Sequence, residues 1–111
     1  MRQTNRITFF ATLLSLVACA GKVPHPTPLH VQRAQQRWPG LTREDLEVGR
    51  TLYLSKCSGC HTLVLPARLI AERWPPILDK MKKLAKLSDP EKEQVLHYIL
   101  AIKMNEEETK R

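Results

Sequence analysis

The chain has 111 residues, which is enough for one domain at most, so a multidomain protein is excluded. It carries 18 basic and 11 acidic side chains, a formal net charge of +7. Aromatic residues make up only 5% of the sequence, and this leaves little material for a large aromatic core.

The first 18 residues have the pattern of a secretory signal. Arg2 and Arg6 give a positive start, and residues 7 to 18 form an uncharged, mostly apolar run. Such a run is too short to span a bilayer comfortably, but it has the length of the apolar part of a signal peptide. We therefore expect export, which leaves a mature chain of about +5 and excludes nucleic acid as a partner.

The sequence LVAC at residues 16 to 19 resembles the lipobox of bacterial lipoproteins. The resemblance implies cleavage before Cys19 and lipidation of this cysteine, which would anchor the chain in a bacterial membrane with its folded part in the periplasm. Ala20 in place of aspartate favours the outer membrane. Each buried CH₂ of an acyl chain contributes about 0.8 kcal/mol, so several chains on one cysteine anchor a protein firmly. Simple secretion after an A-x-A-type cleavage site is the alternative.

Residues 19 to 40 combine the lipidated cysteine with a Pro-rich stretch. Four prolines, no acidic residue and little apolar periodicity predict an extended, semi-rigid tether. His25 and His30 lie within it, and we expect both to be solvated. The folded domain is then predicted at residues 41 to 104, followed by a charged tail at 105 to 111.

Three helices are predicted within this domain. The first begins after Thr42, whose pairing with Asp45 is a variant of the capping box, and its apolar face ends at the cysteine motif. The second covers residues 75 to 86, with lysines outside an apolar stripe of Ile77, Leu78, Met81, Leu84 and Ala85. The third is capped by Ser88 or Asp89. Its predicted apolar face comprises Val95, Leu96, Tyr98, Ile99 and Ile102.

These patterns predict an all-α fold of three main helices. No segment between residues 41 and 104 alternates at a period of two for long enough to form a strand. A domain of this size buries little surface and usually needs a disulfide, a metal or a cofactor to stabilise it.

The sequence KCSGCH at residues 56 to 61 contains the motif C-x-x-C-H. Cys57 and Cys60 have the spacing that joins two thiols to the two vinyl groups of one haem, with His61 as the proximal iron ligand. A zinc site would need a second pair of ligands, and a redox-active dithiol would need a βαβ context. A structural Cys57–Cys60 disulfide would leave His61 unexplained. We expect one covalently bound haem c.

Beyond this motif, the chain resembles the c-type cytochrome family. GRTLYLSKCSGCH is similar to the family's N-terminal helix, with Gly49 and Tyr53 matching its glycine and aromatic residue. EQVLHYILAIK is similar to its last helix, where Tyr98 is the aromatic residue that crosses near the glycine. The resemblance covers residues 43 to 103 and implies a small cytochrome c domain around the haem. Residues 61 to 81 form a shorter stretch between proximal and distal ligand than most members have.

Met81, Met104 and His97 are the candidates for the distal iron ligand. Met81 lies in the apolar stripe of the second helix, whereas His97 and Met104 lie opposite the apolar stripe of the third. Met81 is therefore the predicted ligand, and Met/His ligation suits outer-sphere electron transfer. The alternative role of Met81 is packing, with a five-coordinate iron.

Three further predictions surround the haem. The resemblance implies that the carbonyl of Pro66 accepts a hydrogen bond from His61, and Trp74 is a candidate donor to a haem propionate, with plain packing as the alternative. Lysines cluster near the motif and around Met81, where they form either a solvated face or a positive ring that attracts acidic redox partners. These lysines are Lys56, Lys80, Lys82, Lys83 and Lys86.

The predicted function is therefore a periplasmic, membrane-anchored cytochrome that carries single electrons between redox proteins. No acid–base pair or nucleophile near the motif indicates an enzyme. The alternatives are a haem-based sensor or small-gas binder, and a fixed haem subunit of a larger oxidoreductase.

Overall fold

A computed structural model describes residues 23 to 57 and 64 to 109, with side chains up to residue 106. The predicted signal at 1 to 18 and the site residues Cys19, Cys60 and His61 lie outside these ranges. The described residues form four α-helices: α1 (Pro28–Arg37), α2 (Arg43–Cys57), α3 (Trp74–Leu84) and α4 (Asp89–Thr109). Two 3₁₀ turns, Pro66–Arg68 and Ala71–Arg73, precede α3. No strand occurs in these ranges, so the all-α prediction is confirmed for this part of the chain.

Helices α2 and α4 begin where their capping residues predict. The Thr42 backbone N–H donates to the Asp45 carboxylate at 2.8 Å, and the Asp45 N–H donates back to the Thr42 hydroxyl at 3.1 Å. Ser88 and Glu91 form the same reciprocal pair at the start of α4. These hydrogen bonds lower the pKa of both carboxyl groups.

Helix α4 is the centre of the fold, because the other three helices pack against it. Most of the predicted face is confirmed: Val95, Tyr98 and Ile99 are fully buried, Ile102 nearly so, and Leu96 is partly buried against the core. Leu100 and Ala101 on its other sides are also buried, and so is Lys103, which lies one turn after Ile99. Of the helices in the described ranges, none combines the length and apolar character needed to cross a bilayer.

The prediction of an extended tether is wrong for residues 28 to 37, which form α1 and pack along α4. Ala34 on α1 is fully buried against Leu46 and Ala101. The helix forms because Thr27 caps it and Pro28 fits its first position, after which no proline interrupts it before Arg37. The folded unit therefore begins well before the predicted boundary at residue 41.

Residues 23 to 27, named here the strap, are also attached to the helices. The Arg50 guanidinium donates to the Val23 carbonyl at 3.0 and 3.1 Å, and the Tyr98 hydroxyl donates to the Pro24 carbonyl at 2.7 Å. Val23 is only 8% exposed and belongs to the main hydrophobic core. The strap thus joins α2 and α4 by specific contacts.

The predicted tail also differs from the structure, because α4 continues to Thr109 instead of ending near residue 104. The sequence after Met104 contains no glycine or proline that would stop the helix. The Arg33 guanidinium of α1 donates to the Asn105 side-chain oxygen at 2.6 Å, which holds this extension against α1.

Gly49 allows α2 and α4 to cross in close contact, as the resemblance implied. A Cβ atom at this position would lie 2.9 Å from the Tyr98 Cβ and closer still to the Gln94 carbonyl oxygen. Because the obstacle is backbone, no side-chain rotation would relieve it.

We expect Gly49→Ala to lower the free energy of unfolding by about 1–3 kcal/mol, since the two helices must move apart. Val48→Ala is the matched control, because Val48 is exposed on the same helix, and its effect should stay within about 0.5 kcal/mol. Urea denaturation of both variants measures the difference. Equal effects would contradict the close crossing.

A histidine completes the cap of α1. The Thr27 backbone N–H donates to His30 Nδ1 at 2.9 Å, and the His30 N–H donates to the Thr27 hydroxyl at 3.3 Å. His30 is buried rather than solvated as predicted. Burial lowers its pKa below the ordinary value of 6.5; Arg33 lowers it further and Glu106 opposes the shift.

A lowered pKa in the folded state means that His30 stabilises the fold above pH 6.5, and that this contribution is lost as the pH falls towards the folded-state pKa. His30→Gln keeps a capping acceptor that does not titrate. We therefore expect the unfolding free energy of the wild type, relative to His30→Gln, to fall between pH 7.5 and pH 5. As a control, the same comparison is made with His25→Gln present in both proteins. Because position 25 is exposed, we expect the same fall in the difference between them. A wild-type to His30→Gln difference that is independent of pH would contradict the assignment.

Candidate functional site

An apolar pocket lies between the C-terminal end of α2 and one face of α3. Its volume is about 150 Å³. A single water molecule needs roughly 10 to 15 Å³ by the same measure, so the pocket can hold a group much larger than water. The pocket is lined by Tyr53, Lys56, Cys57, Val64, Leu69, Trp74, Ile77, Leu78, Met81, Leu84 and Ala85. Three residues predicted to contact the haem, Cys57, Trp74 and Met81, therefore line one cavity.

Helix α2 brings Tyr53 and Cys57 to this pocket because they are one turn apart on its buried face. Cys57 is the last residue of the helix and is half-buried, and burial raises the pKa of its thiol. The C-x-x-C-H motif thus begins at the pocket wall. Its next residues, Cys60 and His61 among them, lie outside the described ranges.

Helix α3 brings Trp74 and Met81 to the opposite wall. Trp74 is the first residue of the helix and is only 3% exposed, whereas Met81 is half-buried. Ile77 and Leu78 share the face of Met81 because they lie four and three positions before it. Leu84, 68% exposed, lies at the rim of the pocket. The apolar stripe of α3 therefore lines the pocket and also contributes Trp74 and Leu78 to the core.

Two polar atoms in the pocket wall are buried without a hydrogen-bond partner among the described residues, namely the Tyr53 hydroxyl and Trp74 Nε1. The two rings meet edge to face, with centroids 6.3 Å apart and an interplanar angle of 81°. Burial also raises the pKa of the Tyr53 hydroxyl, so it remains a neutral donor. Buried donors normally have partners, because an unpaired one costs about 1–3 kcal/mol.

The structure separates the other ligand candidates from the pocket. His97 lies against Trp38, with ring centroids 4.4 Å apart, on the side of α4 covered by α1. Met104 lies near the end of the same helix and is not among the pocket-lining residues. Pro66 is fully buried at the start of a 3₁₀ turn that packs on α4, and it does not line the pocket either.

The five predicted lysines do not share one environment. Lys56 lines the pocket, and Lys82 pairs with Asp89 of α4 across the α3–α4 loop. Lys80, Lys83 and Lys86 have exposed side chains. Of the five lysines, only Lys56 lines the pocket.

Among the described residues, no three His, Cys, Asp or Glu side chains are grouped closely enough to hold a metal ion. Cys57 is the only part of the C-x-x-C-H motif to which this observation applies.

Comparison of the chain with protein-family models, with curated proteins and with solved structures gave no significant match.

Sequence reasoning identified Tyr53 as a helix-packing residue but missed its place in the pocket wall. The available signal was its position four residues before Cys57, which places both side chains on the same face of α2. Ile77 and Leu84 were recognised as part of an apolar stripe, which fits a pocket as well as a core. Val64 and Leu69 lie in a non-helical segment without periodicity, so no sequence signal placed them at the site.

Proposed function

We propose that this chain is a small c-type cytochrome that carries single electrons, with its haem held in the apolar pocket between α2 and α3. The observation that supports this most strongly is the position of the motif. Cys57 opens C-x-x-C-H at the wall of a pocket that also contains Met81 and the unpartnered polar atoms of Trp74 and Tyr53. Cys57, Trp74 and Met81, which lie up to 24 residues apart in the sequence, therefore converge at one site.

The residues of the pocket fit a haem in two ways. Its walls are almost wholly apolar, as a porphyrin face requires, and its two unpartnered donors are of the kind that hydrogen-bond a propionate. The half-buried, neutral thiol of Cys57, with that of Cys60, would add its S–H across a haem vinyl group. Such covalent attachment keeps a cofactor in a domain too small to retain it by burial alone.

His61 and Met81 are the proposed iron ligands. A haem iron bound in this way supplies a reversible one-electron couple, and methionine ligation raises its reduction potential. The surrounding apolar residues exclude water, and Leu84 and Val64 leave part of the rim apolar and exposed for a partner. The exposed lysines nearby suit redox partners with acidic docking surfaces.

The location proposed for this carrier is the periplasmic side of a bacterial membrane, with the mature chain anchored by a lipid on Cys19. The support is the sequence pattern of residues 1 to 19.

Met81→Ala should open the iron to external ligands. The reduced wild-type protein is expected to give a sharp low-spin absorption spectrum that carbon monoxide does not change, whereas the spectrum of Met81→Ala should shift when the gas is added. Met104→Ala is the matched control, since Met104 lies outside the pocket, and should behave as the wild type. A wild-type spectrum that itself shifts with carbon monoxide would assign Met81 to packing and favour the sensor function.

Tyr53→Phe tests whether the buried hydroxyl has a partner in the bound state. In the haem-loaded protein, loss of a hydrogen bond to a carboxylate should lower the unfolding free energy by about 1.5–3 kcal/mol. Tyr98→Phe is the comparison, because its hydroxyl already donates to Pro24 and its loss should cost about 0.5–1.5 kcal/mol. If Tyr53→Phe is neutral or stabilising under urea denaturation, the hydroxyl has no acceptor and the proposed contact is wrong.

A further inference from the structure

The strap fixes the point at which the chain leaves the folded unit. Its carbonyls at Val23 and Pro24 accept three hydrogen bonds, two from Arg50 on α2 and one from Tyr98 on α4. Val23 and Pro26 are buried. His25 Nδ1 lies 3.1 Å from the Glu47 carboxylate, so side-chain contacts continue along the strap. The first described residue is therefore part of the fold and not of a linker.

This attachment changes the reach of a lipid anchor at Cys19. An extended, Pro-rich tether of residues 19 to 40 would span roughly 68 Å, at about 3.1 Å per residue. From Cys19 to Val23 there are only four Cα–Cα steps, which span at most about 14 Å. That distance is about half the thickness of a bilayer's hydrocarbon core. A domain on so short a connection remains next to the membrane surface.

We infer that the strap holds this domain directly against the lipid headgroups, with the side bearing Val23 towards the bilayer. The inference rests on the lipid anchor of the proposed function. The domain would stay apposed to the membrane and would not swing on a long tether. The surface involved is the strap with the adjoining part of α2, and its partner is the bilayer.

The strap also lies close to the pocket. Val23 belongs to the same core cluster as Tyr53 and Trp74, both of which line the cavity. The Tyr98 ring, whose hydroxyl binds the strap, lies 6.0 Å from the Tyr53 ring. The strap and the pocket wall therefore share one core cluster. A redox partner would meet the pocket at the membrane surface and not deep in the periplasm.

Neutron reflectometry of the full lipidated chain on a supported bilayer of phosphatidylethanolamine and phosphatidylglycerol tests this inference. The matched variant carries about eighteen Gly and Ser residues between Lys22 and Val23. This insertion restores the length of a free tether, whose root-mean-square reach is about 26 Å, and leaves every described contact unchanged. A second control places the same insertion after Arg111.

The wild type and the C-terminal control should each give a protein layer with a sharp inner edge within about 14 Å of the headgroups. The Lys22–Val23 insertion should move this edge outward by about 10 Å or more and broaden it. A wild-type layer as broad and distant as that of the insertion variant would overturn the inference. A mass spectrum without lipid on Cys19 would also overturn it, but would leave the haem spectrum of the proposed function unaffected, so the two failures are distinguishable.

Discussion

The close crossing of α2 and α4 at Gly49 is the constraint on which the rest of the structure depends. With only a hydrogen in place of a side chain, α2 lies directly on the backbone of α4 near Gln94. One turn later, Tyr53 enters the core beside Tyr98 and Trp74. After one more turn Cys57 ends the helix at the pocket wall. The position of the motif relative to α3 thus follows from a contact two turns away from it.

Sequence patterns predicted those parts of the fold that rest on local chemistry. The caps of α2 and α4 and the buried face of α4 are encoded by neighbouring residues, so they could be read directly. Helix α1 was missed because four prolines dominate its surroundings and because His30, unlike the usual Glu or Gln, completes its cap. The burial of Ala101 could not be predicted either, since it depends on Ala34 of α1 covering α4. Of the predicted haem contacts, Cys57, Trp74 and Met81 line one pocket, whereas Pro66 does not line it.

The pocket lies in a domain whose sequence contains few aromatic residues. A small domain has few side chains with which to fill its centre, and here an apolar cavity lies between α2 and α3. Tyr53 and Trp74 leave buried donors in its wall without a described partner. In the proposed cytochrome, Cys57 and Cys60 would hold a haem in this cavity, and Tyr53 and Trp74 would be its candidate hydrogen-bond donors. The strap would then place this redox centre close to the membrane that carries the lipid anchor.

The central claim is that haem is bound covalently through the motif that begins at this pocket. The most direct test is acid–acetone extraction of the denatured protein after expression with a periplasmic haem-attachment system, followed by absorption and intact-mass measurement of the polypeptide. The proposed cytochrome should retain one haem on the chain, and the double variant Cys57→Ala/Cys60→Ala should retain none. A wild-type chain that releases all its haem, or that carries a Cys57–Cys60 disulfide or zinc instead, would contradict the claim.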